Sequence, residues 1–171
     1  MGDRYILGID PGPTTSGMVL YRLAEDPRTG WGRVIRSRKD ANLVELRAEL
    51  TGGDVRNGLN PGSFEVVLEC TQAGPPSTAV VKTTEVVGRL MEACDTRGIR
   101  WHAYYRREVL QALDCAKKGN KDALVRAALI EIHGGTRQVA IGTKKNPGPL
   151  HGVSSHAWQA LGVVAAHLLP F

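Results

Sequence analysis

A short apolar run at residues 5–10, "YILGID", constrains the fold of this chain more than any other feature. The run is continuous, and it stops at an Asp-Pro-Gly turn, which is typical of a buried β-strand. Its last residue, Asp10, places a carboxylate at the mouth of that strand. Three roles are open for this carboxylate: a turn-former, a hook for a nucleotide phosphate, or a metal ligand.

The remaining segments predict an α/β domain. Strands are predicted over 17–23, 31–37, 64–69 and 98–105, and helices over 40–50, 78–97, 106–114, 122–133 and 153–169. Asp40 and Asn120 are the predicted N-caps of the first and fourth helices. We interpret 24–30 as a hairpin connection, 51–62 as a mobile loop and 134–150 as a glycine-rich basic segment. Because three hairpin-like strands precede alternating helices and strands, we expect one domain over 1–171: a five-stranded mixed sheet with helices on both faces.

The composition is that of an ordinary globular protein, with 42% hydrophobic and 23% charged residues. The net charge of +5 favours a polyanionic partner. No apolar run reaches the roughly 18 residues needed to span a bilayer, and no cleavable apolar segment follows Met1, so we expect no membrane association. The three cysteines are widely spaced, which indicates neither a disulfide framework nor a zinc site and favours a reducing, cytoplasmic compartment.

A second carboxylate, Glu69, ends the predicted strand "FEVVLE". Ligand sites in open sheets lie outside the carboxyl ends of the strands, so Asp10 and Glu69 are expected to meet there if their strands are neighbours. Two such carboxylates repel each other unless a cation lies between them, and their hard oxygen atoms suit Mg²⁺ or Mn²⁺. The alternative is that Asp10 caps its turn and Glu69 is a solvated acid at a strand end.

The ordered set of motifs "LGIDPGPTTSGMVLY", "VVLE" and "SSHAWQALGVVAAH" resembles the RuvC-like Holliday-junction resolvases of the RNase H-like superfamily, especially their small phage-encoded relatives. The resemblance extends from about residue 4 to about residue 168. It implies an RNase H-like fold in which Asp10 and Glu69 bind the catalytic metal ions. "GIDPG" alone also occurs in sugar-kinase and actin-like folds, whereas the full set, with "NPGPLHGVSSHAW" before the last helix, is more specific.

The sequence departs from the family pattern at the last helix. The family usually places two acids, most often aspartates, three residues apart, where this chain has His156 and Gln159. The spacing still puts both side chains on one helix face. A neutral imidazole binds divalent metals, whereas an amide oxygen is a weak ligand; alternatively, His156 bonds backbone and Gln159 is only a polar helix residue. Asp122 is a candidate extra acid, although any acid is favoured near a helix N-terminus.

Basic residues cluster in segments that the fold would bring near these acids: Arg106, Arg107, Lys117, Lys118, Lys121, Lys144 and Lys145. We predict that they bind the DNA backbone without reading its sequence. The alternative is an ordinary solvated surface. Trp101, Tyr104 and Tyr105 are candidates for stacking on unpaired bases, although strand alternation predicts that at least one of them is core.

The sequence-based hypothesis is a metal-dependent, structure-selective endonuclease that resolves four-way DNA junctions. Asp10, Glu69 and His156 are its predicted catalytic residues, with Gln159 and Asp122 as further metal ligands and Mg²⁺ or Mn²⁺ as the cofactor. The resemblance also implies a homodimer in a bacterial, or phage-infected, cell. We expect the dimer interface on the helix 78–97, at Val81, Val86 and Leu90.

Three alternatives to this hypothesis remain. The first is a catalytically weakened relative that binds junctions or other nucleic acid, and the second is a ribosomal-RNA-processing nuclease of the same superfamily. The third is a nucleotide-binding protein of the actin or sugar-kinase type, in which "DPGPTTSG" would hold phosphate. The 171-residue chain is too short for the two lobes of that architecture and has no second glycine-rich phosphate loop, so we expect no nucleotide cofactor.

Overall fold

The computed structural model describes residues 4–24, 30–51, 64–71, 75 and 77–169. Within these ranges the strands are β1 (Tyr5–Asp10), β2 (Ser16–Arg22), β3 (Arg33–Ala41), β4 (Phe64–Cys70) and β5 (Trp101–Tyr105). The helices are α1 (Leu43–Leu50), α2 (Thr78–Arg97), α3 (Arg106–Ala112), α4 (Lys121–Ile132), α5 (Arg137–Ala140) and α6 (Ala157–Leu168).

The strands form one sheet in the order β3-β2-β1-β4-β5. The first three strands are antiparallel neighbours, and β4 pairs in parallel with both β1 and β5. The prediction of a mixed sheet with five strands is confirmed for the part of the chain that the structure describes. β1 and β4 are parallel neighbours, so their carboxyl ends lie at the same edge of the sheet.

Helices cover both faces of the sheet, as predicted. One core cluster joins the sheet to α3, α4 and α6, and the other joins it to α1 and α2. Helix α6 is the most deeply placed, because every residue from Ala157 to Ala166 is buried. No helix among the described residues has the length and apolarity needed to cross a membrane.

Two glycines let α6 lie unusually close to the sheet. A Cβ at Gly8 on β1 would lie 2.5 Å from Val164 and 2.6 Å from the carbonyl oxygen of Ala160. A Cβ at Gly17 on β2 would lie 2.2 Å from the carbonyl oxygen of His156. Because Gly17 is paired with Asp10 across the β1–β2 ladder, this approach fixes the N-terminus of α6 beside the end of β1.

Asp40 is not the N-cap of the first helix, and that prediction is wrong. The helix starts at Leu43, because Asn42 accepts a hydrogen bond from the backbone of Glu45 while the Glu45 carboxylate accepts one from the backbone of Asn42. This capping box satisfies two free N–H groups at once. Asp40 instead belongs to β3. The N-cap prediction for Asn120 is confirmed, since its side chain accepts from the backbone at positions 122 and 123.

Other boundaries also shift. β5 starts at Trp101 rather than at residue 98, because Gly98 ends α2 in the left-handed conformation at φ 63°. Helix α6 starts at Ala157 rather than at residue 153, and the segment 134–150 contains the short helix α5. Residues 25–29 of the predicted hairpin connection and 52–62 of the predicted loop lie outside the described residues.

The predicted interface on α2 fails at one of its three residues. Leu90 is fully buried in the core of its own chain, so it is not available to a second copy. Val86 is half-buried against the same core, whereas Val81 is exposed. The apolar stripe of α2 therefore serves mainly to pack the helix on the sheet.

Candidate functional site

Asp10 and Glu69 lie side by side at the carboxyl ends of β1 and β4. The two strands are in register with Ile9 opposite Leu68, which aligns the next residue of each strand. Both carboxylates are largely shielded, with 19% and 14% of their side chains exposed. They line a cavity of about 200 Å³ together with Thr71 and Arg106.

The burial of these acids makes their negative charge costly. Burial is the largest cause that raises the pKa of Asp10 to about 7, followed by the charge of Glu69, while Arg106 lowers it and Asp122 raises it. Burial also raises the pKa of Glu69, and Arg106 partly opposes that shift. Such paired acids are stabilised by any cation placed between them.

In this structure the cation beside the acids is Arg106, the first residue of α3. Its guanidinium donates to Glu69 at 3.2 Å and to Asp122 at 2.8 Å, and it also donates to the amide oxygen of Gln159. The sequence predicts Arg106 as a DNA-backbone contact. The structure places its side chain among the acids instead of on an open surface, with 24% of it exposed.

The two candidate ligands at the start of α6, His156 and Gln159, both lie near these acids. His156 is the N-cap of α6, and its Nδ1 lies 3.8 Å from Asp10 Oδ2, with 65% of the side chain exposed. Gln159, one turn further along, is buried and accepts the hydrogen bond from Arg106. The close approach at Gly17 is what brings the start of α6 to this position.

Asp122 joins the site from a third direction. It lies in the first turn of α4, where Asn120 caps the helix, and its carboxylate pairs with Arg106. The five predicted metal ligands thus lie in one region but in two groups: the Arg106 guanidinium bonds Glu69, Gln159 and Asp122, and His156 lies beside Asp10. Sequence spacing alone did not settle whether Asp122 belonged to this group.

The donor set fits a hard divalent cation. Arg106 now holds the carboxylates of Glu69 and Asp122 and the amide oxygen of Gln159, and the imidazole of His156 lies 3.8 Å from the carboxylate of Asp10. Oxygen ligands of this kind suit Mg²⁺ or Mn²⁺. Because the guanidinium uses the same carboxylate oxygens, a bound ion and Arg106 compete for them.

A wider groove of about 480 Å³ continues from Asp122, His156 and Gln159. It is lined by two arginines, Arg126 and Arg137, and the guanidinium of Arg126 lies 4.9 Å from the ring of Trp158. Sequence reasoning did not single out either arginine. The spacing could have identified Arg126, because it follows Asp122 by four residues on the same helix face.

The remaining predicted basic residues differ in how free they are. Lys144 and Lys145 are exposed at the tip of a turn closed by a hydrogen bond from Thr143 to Asn146 and by a bridge between Gly142 and Pro147. The others lie beside α3 and α4: Arg107 and Lys118 are exposed, Lys117 pairs with Asp114, and Lys121 donates to the carbonyl oxygens of Ala116 and Lys117.

The aromatic residues of β5 divide as alternation predicts. Tyr104 packs against the core under α6, and Trp101 packs on the opposite face and donates to Asp95. Tyr105 is 45% exposed and lies directly before Arg106. Of the three, Tyr105 is therefore the one available for stacking.

Comparison with known proteins identifies the fold. No family model and no curated protein sequence matches the chain. Among solved structures, the RuvC protein of Thermus thermophilus in complex with a Holliday junction substrate superposes with a TM-score of 0.66 at 19% identity, covering 97% of this chain and 93% of that one. A second Thermus thermophilus RuvC structure gives 0.65 at 19% identity, covering 95% and 92%. The protein thus has the RNase H-like fold of RuvC over nearly its whole length, as the sequence motifs predict.

Proposed function

We propose that this protein is a metal-dependent endonuclease that resolves four-way DNA junctions by paired cleavage of phosphodiester bonds. The observation that carries the proposal is the meeting of Asp10 and Glu69 at neighbouring strand ends, with His156 and Asp122 beside them. The likeness to a RuvC structure solved with a junction supports the substrate class.

Asp10, Glu69 and Asp122 would hold the ion through carboxylate oxygens, and Mg²⁺ or Mn²⁺ is the cofactor that fits them. When bound, such an ion supplies a water of lowered pKa and stabilises charge on the leaving oxygen. His156 is exposed beside Asp10, so its imidazole is available either as a ligand or to orient the attacking water. Gln159 adds a neutral oxygen.

The basic residues would bind and position the DNA. Arg126 and Arg137 line the groove that begins at Asp122, and they would bind phosphates of the DNA backbone there. Lys144 and Lys145 present two charges on an exposed turn. In our proposal a DNA phosphate draws Arg106 away from Glu69 and Asp122, which releases their oxygens for the ion; phosphate and carboxylate both accept bidentate bonds from arginine.

Paired cuts need two active sites, so we propose that a homodimer acts on each junction. Light scattering during gel filtration measures the mass of the free protein and of its junction complex. If the free protein and the junction complex each contain a single protein chain, the homodimer is contradicted while the nuclease assignment is unaffected.

The nuclease assignment is tested with a synthetic four-way junction and a linear duplex of the same sequence, each incubated in Mg²⁺ or Mn²⁺. We expect the wild type to cut the junction at paired positions and to leave the duplex intact. Asp10→Asn should bind the junction in a metal-free gel shift and fail to cut it, while Asp40→Asn, which removes an exposed carboxylate on β3, should cut normally. If Asp10→Asn cuts the junction at the wild-type rate, Asp10 is not a metal ligand of the reaction.

We expect Mn²⁺ to support cleavage better than Mg²⁺. Imidazole and amide donors replace two carboxylates of the usual family site, and Mg²⁺ depends more strongly than Mn²⁺ on charged oxygen ligands. A metal titration of junction cleavage measures the difference. Equal half-saturating concentrations of the two ions would mean that His156 is not a ligand.

A second candidate function, junction binding without cleavage, is favoured by one observation. Arg106 already neutralises part of the charge of the acids, and neither His156 nor Gln159 is a carboxylate. Tight, junction-selective binding with no cleavage in either metal would support this candidate.

A further inference from the structure

A second group of metal-binding side chains lies at the opposite edge of the sheet from Asp10. It consists of Glu65 near the start of β4, His102 on β5 and His167 at the end of α6. The carboxylate of Glu65 lies 3.5 Å from His167 Nε2 and 3.7 Å from His102 Nε2. One ligand atom from each of the three residues lies within 4.8 Å of the others.

The sheet register explains why these residues meet. Side chains alternate along β4, so Glu65 and Glu69 point to the same face, which α6 covers. β5 lies beside β4 with His102 opposite Val67, on that same face. Helix α6 runs against β4 with Gln159 near Glu69 and His167 near Glu65.

The two groups are separate sites. Four residues of β-strand span about 13 Å, which is the distance from Glu65 to Glu69 along β4. Eight residues of α-helix span about 12 Å, from Gln159 to His167. Neither side chain group can therefore share an ion with the other.

We propose that Glu65, His102 and His167 bind a Zn²⁺ ion, with water as the fourth ligand. Two imidazoles and one carboxylate are a known three-residue ligand set for tetrahedral Zn²⁺, whereas Mg²⁺ prefers oxygen atoms alone. Ligands placed about 2.0–2.2 Å from a tetrahedral ion lie roughly 3.3 Å from one another. The separations from Glu65 to the histidines are each close to that value, at 3.5 Å from Oε1 to His167 and 3.7 Å from Oε2 to His102.

The surroundings favour metal binding at each ligand. The hydroxyl of Tyr104 lies 2.8 Å from His167 Nδ1, which fixes the ring and leaves Nε2 directed at Glu65. A partner on the second nitrogen is the usual arrangement for a metal-bound histidine. Burial lowers the pKa of His167, and the charge of Glu65 partly opposes that shift. The side chain of His102 is 48% exposed, so it can turn toward the ion and give it a path from solvent.

A bound ion would join β4, β5 and α6 at the edge away from the candidate nuclease site. The inference stands independently of the proposed nuclease activity, because its ligands take no part in that site. Without an ion, Glu65 would only be a polar neighbour of the two histidines at 3.5 and 3.7 Å, with no metal-dependent signal.

Co²⁺ is a suitable probe, because tetrahedral Co²⁺ absorbs visible light far more strongly than octahedral Co²⁺ held by oxygen ligands. We expect a strong band that saturates at one Co²⁺ per chain in the wild type and in Asp10→Asn, and that Zn²⁺ abolishes. The band should be lost in His102→Ala and kept in His151→Ala, which removes another exposed histidine. Circular dichroism confirms that the variants are folded.

Thermal unfolding provides a second measurement. At a free Zn²⁺ concentration about 100 times the Kd, we expect Tm to rise by about 5–10 °C in the wild type and not in His102→Ala. A wild type without the strong band, or an equal band and equal Tm rise in His102→Ala, overturns the proposal.

Discussion

Replacing the buried acid Asp10 with asparagine is expected to stabilise the metal-free protein at neutral pH. Burial and the neighbouring Glu69 raise the pKa of Asp10 from 3.8 to about 7 in the folded state. The ionised form is therefore held in the fold at a cost that a bound cation would offset. Asparagine has nearly the same shape and carries no charge at any pH.

The size of the effect follows from the pKa difference. Between about pH 4 and pH 7 the folded protein keeps a proton on Asp10 that the unfolded chain has lost, so the free energy of unfolding falls as pH rises. One pKa unit corresponds to about 1.36 kcal/mol, and the shift from 3.8 to about 7 gives a fall on the order of 4 kcal/mol. Above about pH 7 this contribution no longer changes.

Urea unfolding in EDTA measures the effect for wild type, Asp10→Asn and Asp40→Asn at several pH values between about 4.5 and 8. The stability advantage of Asp10→Asn over wild type should grow with pH up to about pH 7 and then level off, while Asp40→Asn serves as the control for loss of an exposed carboxylate. Saturating Mn²⁺ should remove the advantage, because only the wild type has the full ligand set. A constant advantage at all pH values would refute the reasoning.

Three further predictions follow from the same contacts. Arg106→Gln should tighten Mn²⁺ binding to the free protein by about tenfold or more, because one charge-assisted hydrogen bond contributes about 1.5–3 kcal/mol. If calorimetry gives an unchanged affinity, Arg106 does not compete with the ion for the carboxylate oxygens. Gly17→Ala should lower the free energy of unfolding by about 1–3 kcal/mol, whereas Gly88→Ala on α2, where a Cβ meets nothing within 4 Å, should not destabilise. Replacing Lys144 and Lys145 with alanine should weaken binding to all DNA sequences alike. The slope of log affinity against log salt concentration should fall by up to about 0.9 per lost contact, and an unchanged slope would mean that neither lysine contacts phosphate.

The fold was predictable because its signals are local. The run ending at Asp10, the run ending at Glu69 and the long pattern of α2 each identify an element without knowledge of its neighbours. The start of the first helix after Asn42 was not predictable, because Asp40 and Asn42, two residues apart, can both cap a helix. The reciprocal bonds with Glu45 decide between them, and they exist only once the turn has formed.

The candidate site was predictable only in part. Strand ends identify Asp10 and Glu69, and helix spacing identifies His156 and Gln159. The position of Arg106 was not accessible, since its partner Glu69 lies 37 residues away and the contact depends on the turn from β5 into α3. The pairing of Glu65 with His102 likewise depends on the register of β4 and β5, which sequence alone does not fix.

Helix α6 connects the two proposed metal sites. Its N-cap His156 and the buried Gln159 lie beside the carboxylate site, and its last turn carries His167 beside Glu65. Close packing at Gly8 and Gly17 leaves the helix little freedom to slide along the sheet. An ion held at the far edge would therefore restrain the same helix that positions His156, about 16 Å away along its axis. The position of α6 is then fixed at both ends: by the glycines near the acids, and by β4 and β5 at the other edge.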